Sequence, residues 1–113
     1  MSELRLPQER RIDPAKLLEY LLRPDKGHGK ARFFYNFGFA LEKWEMLYDA
    51  LMEHAQTLPV SETVASKYGT KYIVIGGLGT PDGRNPRPIV QAVWIQDEGQ
   101  ERVRFVTAYP GRS

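Results

Sequence analysis

The chain has 113 residues, 42% hydrophobic and 12% aromatic, with no cysteine and a formal net charge of +2. These values fit one folded domain around a single core, not a disordered chain. They exclude disulfides, thiolate catalysis and cysteine-held zinc, and they argue against a dedicated, strongly basic nucleic-acid binder.

Residues 1–12 read as a flexible polar arm without the apolar centre of a signal peptide. Asp13 then stands as an N-cap with Pro14 at the first helical position, which predicts a helix over 14–22. Leu17, Leu18, Leu21 and Leu22 form its buried side, and Pro24 ends it. A second helix is expected over 29–37, closed by Gly38 in the left-handed conformation, with Phe33, Phe34 and Phe37 as its core residues. The third, over 41–56, has the clearest period: Leu41, Trp44, Leu47, Tyr48, Leu51 and Ala55 recur three and four apart. Glu42, Glu45, Asp49 and Glu53 fall on its other side, as a solvated face or as a docking stripe for a basic partner.

After Pro59 the period becomes two. Strands are expected over 60–68 at an edge, then over 71–78, 88–95 and 102–109, with turn chemistry at 79–84 and 97–99. In the last strand Val103, Phe105, Thr107 and Tyr109 alternate against Arg102, Arg104, Val106 and Ala108. Helices followed by hairpin-linked strands predict one α+β domain over 13–110. About three N-terminal helices should pack on one face of a three- to four-stranded antiparallel meander, the other face being partly open. No apolar run approaches the roughly 20 residues needed to span a bilayer, so the expected location is the cytoplasm without membrane contact.

Chemistry concentrates between Pro24 and Phe34. Arg23, Lys26, Lys30 and Arg32 face one acid, Asp25, where the second helix begins. Free backbone N–H groups at a helix start favour an anion. His28 and His54 are the only histidines, and neither has a metal-binding companion at helical spacing, so no metal is expected. Gly27-His28-Gly29-Lys30 and Gly76-Gly77-Leu78-Gly79 both miss the nucleotide-loop spacings, so no cofactor is expected either. What remains is acid–base work on a phosphate. His28 can shuttle a proton, Lys30 and Arg32 can neutralise the anion, and Thr107 and Tyr109 can add hydroxyls from the last strand. Lys26 and Arg84 join as further cations for the anion. The plainer reading of the same residues is a solvated turn and a core edge.

Several words of the chain carry a resemblance. They are Lys16-Leu17-Leu18-Glu19-Tyr20-Leu21-Leu22, Gly29-Lys30-Ala31-Arg32-Phe33-Phe34, Phe37-Gly38-Phe39 with Trp44, Tyr68-Gly69-x-Lys71-Tyr72, Pro81-x-Gly83-Arg84, Val93-Trp94-Ile95 and Val106-Thr107-Ala108-Tyr109-Pro110. With them the chain resembles a bacterial domain family of unknown function over nearly all of 13–110. More distantly it is similar to toxin nucleases of the barnase, EndoU, colicin and RelE type. That resemblance implies a metal-independent endoribonuclease acting on RNA, often paired with a cognate immunity or antitoxin protein. EndoU-like enzymes use a pair of histidines, and here His28 alone has a clear place. The alternative is a non-catalytic, antitoxin-like or mobile-element accessory module that binds a partner through Glu42, Glu45, Asp49 and Glu53.

Overall fold

The computed structural model describes residues 4–25 and 30–111. Strand β1 is the pair Arg10–Arg11, and α1, Pro14–Lys16, runs into a wider π-helical turn over Leu17–Leu21. Helix α2 is Lys30–Tyr35. A 3₁₀ turn over Leu41–Lys43 leads into α3, Trp44–Thr57. Four strands follow: β2 Glu62–Ser66, β3 Gly69–Gly77, β4 Ile89–Asp97 and β5 Val103–Pro110.

The α+β class stands, but the architecture differs from the expected meander. The sheet has five strands in the order β1-β5-β4-β3-β2, and β1 pairs parallel to β5. The extra strand comes from the expected arm, where two arginines give no alternating pattern to read. The helices do not form an N-terminal layer either. Among the described residues only α3 exceeds two turns, and the first helix breaks into a short α turn and a π turn.

Local chemistry explains the elements. Asp13 caps α1, its carboxylate accepting from Ala15 N–H at 3.0 Å. The π turn is closed by Leu22 N–H donating to Leu17 C=O at 2.9 Å. Helix α2 ends in a Schellman motif: Phe39 N–H reaches Phe34 C=O at 3.2 Å and Gly38 N–H reaches Tyr35 C=O at 3.1 Å. Gly38 takes φ 98° there, and Phe39 folds back edge-on against Phe34. The β2–β3 hairpin turns at Lys67-Tyr68 and enters β3 at Gly69, where a Cβ would lie 2.2 Å from Gln96 C=O.

The core joins Leu17, Leu21, Leu22, Phe34, Leu47 and Leu51 from the helices to Val74, Ala92, Trp94, Phe105 and Ala108 from the sheet. Trp94 and Phe105 meet at 75° with centroids 5.4 Å apart. Register puts Ile73, Val93, Thr107 and Tyr109 on the opposite face. At the far rim β2 is exposed along its whole length.

His54 ties α3 to the sheet. It is fully buried, and its Nε2 lies 3.2 Å from Gly76 C=O and 3.1 Å from Val90 C=O. Two acceptors require Nε2 to carry the proton, while Nδ1 has no partner among the described residues. Burial holds the imidazole below its ordinary pKa against the pull of the two carbonyls and Glu53. The folded pKa is thus below the unfolded value of about 6.5. Its stabilising effect is full above that value and is lost as pH falls through it. The urea midpoint is expected to drop between pH 7.5 and 5.5, with His54 contributing at most about 1.4 kcal/mol per pH unit. The difference between the chain and its His54→Gln variant isolates that contribution, and parallel pH dependences would remove it.

Candidate functional site: Lys30 at the rim of the sheet

Strand β5 carries one residue more than β4 opposite it. Trp94 pairs with Phe105 and Val93 with Thr107, so Val106 is the extra residue of a bulge. Before the bulge Val103 and Phe105 face the core. After it the phase reverses, and Ala108 faces the core opposite Ala92. Thr107 and Tyr109 therefore turn to the other face and remain half-buried. Strict alternation would have kept them with Phe105.

Helix α2 delivers Lys30 to this place. Ala31 and Phe34 bury at 1% and 0% exposure and anchor the helix, leaving Lys30 on its flank. Lys30 Nζ donates to Thr107 Oγ1 at 3.0 Å and approaches Tyr20 Oη at 3.5 Å. It also stands 5.2 Å from the Tyr20 ring centre and 5.4 Å from that of Tyr109. Gln91 orients Tyr109 by donating its amide N–H to the phenol oxygen. Among the described residues no carboxylate pairs with Lys30; its partners are hydroxyls and ring faces. Beside the cluster opens a hollow of about 550 Å³, with Lys16, Glu19, Tyr20 and Thr107 in its wall. Lys16, the hydroxyls of Tyr20 and Thr107 and the carboxylates of Asp13 and Glu19 thus border a space that can admit a phosphate and move protons around it.

The expected site residues divide. Lys30, Thr107 and Tyr109 come together. Lys26 and His28 lie outside the described residues. Arg32 is exposed. Arg84 lies beyond the other end of α2, its guanidinium 5.0 Å from the Phe37 ring centre. Asp82 pairs with it at 3.2 Å, and the Thr80 hydroxyl, with Arg84, holds that carboxyl below its ordinary pKa. With six residues α2 has little dipole to offer an anion, so Lys30's side chain is the attraction. Along the 3₁₀ turn and α3 the acidic stripe is split: Glu53 takes both guanidinium nitrogens of Arg87 at 3.2 and 3.4 Å, whereas Glu42, Glu45 and Asp49 are exposed and unpaired among the described residues.

Sequence reasoning missed Tyr20 and Gln91. Tyr20 sits in the π turn, which displaces it from the leucine face. Its signal was one phenol in a run of leucines. Gln91 was the one polar residue in the apolar run from Ile89 to Ile95.

A sequence model described as a domain of unknown function, DUF6883, matches residues 5–112. The chain belongs to that family. No curated protein matches the sequence. Among solved structures, a chain of a contact-dependent growth inhibition toxin–immunity protein complex from Klebsiella pneumoniae 342 is similar, with a TM-score of 0.67 at 17% identity. The match covers 88% of this chain and 98% of that one, and at such identity it shows the shared fold alone. The DUF6883 fold is thus one that also occurs in a toxin–immunity complex.

Lys30 is a peripheral contact of the fold, and Phe34 a central one. Lys30→Met is expected to shift the unfolding free energy by less than about 1 kcal/mol, against about 3–5 kcal/mol for Phe34→Ala. Urea denaturation of both variants checks this, and it separates any loss of function at Lys30 from loss of fold.

Proposed function

We propose that this DUF6883 domain is a toxin-type, metal-independent endoribonuclease that holds an RNA phosphate at Lys30 and acts in the cytoplasm. The observation that carries the reading is a lysine bound by hydroxyls and rings, without a carboxylate partner among the described residues, whose partners Tyr20 and Thr107 line an open hollow. The fold shared with a chain of a toxin–immunity complex supports it.

The chemistry requires no outside reagent. A base takes the proton of the RNA 2′-hydroxyl, and that oxygen attacks the adjacent phosphorus. The P–O5′ bond breaks, and an acid returns a proton to the leaving oxygen. The products are a 2′,3′-cyclic phosphate and a 5′-hydroxyl. Lys30 with Thr107 stabilises the charge gathered on the phosphorane. Glu19 in the hollow wall, or His28 two positions before Lys30, takes the first proton. Tyr20 or Tyr109 supplies the second, with Lys26, Arg32 and Arg84 as outer cations.

A second reading keeps the fold and drops the reaction. Glu42, Glu45 and Asp49, unpaired on the exposed side of the third helical segment, would dock a basic partner such as an immunity or antitoxin protein. Reversing Glu45 and Asp49 to lysine abolishes capture of a co-expressed genomic neighbour on that reading and leaves RNA cleavage intact on the first.

The deciding experiment is cleavage of a labelled RNA by the purified chain in the presence of a metal chelator. Lys30→Met is expected to lower the rate roughly 100- to 1,000-fold. Glu19→Gln and His28→Ala identify the base by which of them flattens the acidic limb of the pH profile. No cleavage by the parent chain at any pH from 5 to 9, or equal cleavage by Lys30→Met, would end the nuclease reading.

A further inference from the structure

Helix α2 and the turn after it carry aromatic rings that pack on the core yet are not fully buried by it. Ala31, Phe34 and the returning Phe39 secure the helix, at exposures of 1%, 0% and 3%. Phe33 and Phe37 are partly buried against the core and keep some exposure on one flank, where they meet at 68° with centroids 5.1 Å apart. Lys30 and Phe33 stand at i and i+3 on α2, and Phe37, in the turn that ends the helix, meets Phe33 and extends the row. Cations close the row at both ends. Lys30 sits among Tyr20 and Tyr109 at one, and Arg84 lies over Phe37 at the other.

The Arg84 end is fixed in place. Gly83 N–H donates to Thr80 C=O at 3.0 Å, and Arg84 N–H donates to Thr80 Oγ1 at 3.1 Å and to Asp82 Oδ1 at 3.0 Å. The loop is seated on Gly38, where a Cβ would lie 3.2 Å from Pro81 Cβ and 3.3 Å from Asp82 N. Beyond Arg84 lies a second hollow, of about 570 Å³. Phe39 and the 43%-exposed Met46 give it an apolar wall, with Asn85, Arg87 and the carboxylates of Asp49 and Glu53 as polar edges. That size is within the range of small-molecule sites and admits a nucleoside.

We propose that this flank is a stacking platform for a single-stranded polynucleotide, running from the Lys30 cluster over Phe33 and Phe37 to the Arg84 hollow. The inference rests on the reading of Lys30 as a phosphate site and adds what the rest of the guest touches. Ring faces on a helix flank meet base faces only when the bases are unpaired, which selects single strands over duplex. An arginine lying on an aromatic ring extends the stack with a flat cation. Asp82 and Glu53 offset part of the charge of Arg84 and Arg87. Two cations, Lys30 and Arg84, then meet phosphate, and stacking supplies the rest.

The test is fluorescence anisotropy with an end-labelled 2′-O-methyl RNA octamer, which cannot be cut through its own 2′-oxygen. A dinucleotide, the matching single-stranded DNA and a duplex of the same length are compared with it. The parent chain is expected to bind the octamer about tenfold more tightly than the dinucleotide or the duplex. Phe37→Leu, which keeps an apolar side chain, and Arg84→Gln on the surface should each weaken octamer binding about tenfold. Affinity should fall with salt at a log–log slope of roughly −1.4, two phosphates at about −0.7 each. The DNA arm assigns the polymer: tighter 2′-O-methyl RNA binding names RNA, and equal binding names single strands of either sugar. The platform is overturned if both variants bind like the parent. It is equally overturned by equal binding of the duplex, or by a polyglutamate peptide that binds as tightly without regard to Phe37. Failure here is distinct from failure of the catalytic reading. Cleavage that persists in Phe37→Leu and Arg84→Gln with unchanged affinity removes the platform alone. Binding that depends on Phe37 in a chain that never cuts removes the nuclease alone.

Discussion

Strand β5 and strand β4 disagree by one residue, and the candidate site depends on where that residue is placed. With Val106 left over, the strand presents Val103 and Phe105 inward, then changes phase so that Ala108 meets Ala92. The change resolves a packing problem. Without the extra residue Thr107 would stand against Ala92 and Tyr109 against Val90, overfilling a core in which Val90, Ala92 and Trp94 are fully buried. Turning Tyr109 outward relieves that, and it carries Thr107 to the same face. Two hydroxyls then stand at the rim where β1, only two residues long, no longer covers β5.

The helical segments complete the arrangement from the other side of that rim. The π turn at Leu17–Leu21 and the short α2 bring Tyr20 and Lys30 together there, and Tyr35 binds the Leu22 carbonyl left open at the end of the turn. Buried anchors flank each partly buried group: Leu21 and Leu22 beside Tyr20, and Ala31 and Phe34 beside Lys30. The cluster is therefore polar chemistry on apolar footings, with the core deciding the distances. His54 serves the same end farther off, binding carbonyls of β3 and β4 and so fixing α3 against the strands.

Much of this was legible where a residue pattern has a single physical meaning. Asp13-Pro14 marked a helix start and Gly38 a helix end. The three- and four-residue spacing from Leu41 to Ala55 marked the long helix, and the apolar strands gave β3, β4 and β5. Lys30, Thr107 and Tyr109 were selected for their chemistry, and they do meet. The alternation that assigned their faces was wrong beyond Phe105, because a bulge leaves no mark in a strict period of two. Arg10–Arg11 could not be read as a strand, since pairing with β5 uses backbone groups and needs no apolar side chain. The acidic stripe of the third helical segment looked uniform in sequence. Arg87, thirty-four positions away, engages one of its four members.

One rim of the sheet remains bare. Every residue of β2 faces solvent, and its pairing is with β3 alone. The outward amides of that strand bond to water, so deuterium enters there through small local openings without waiting for the fold to come apart. Protection should rise inward, strand by strand, toward the backbone between Trp94 and Ala108. Isotope uptake along this gradient would read how firmly the bulge, buried at its protected end, is held.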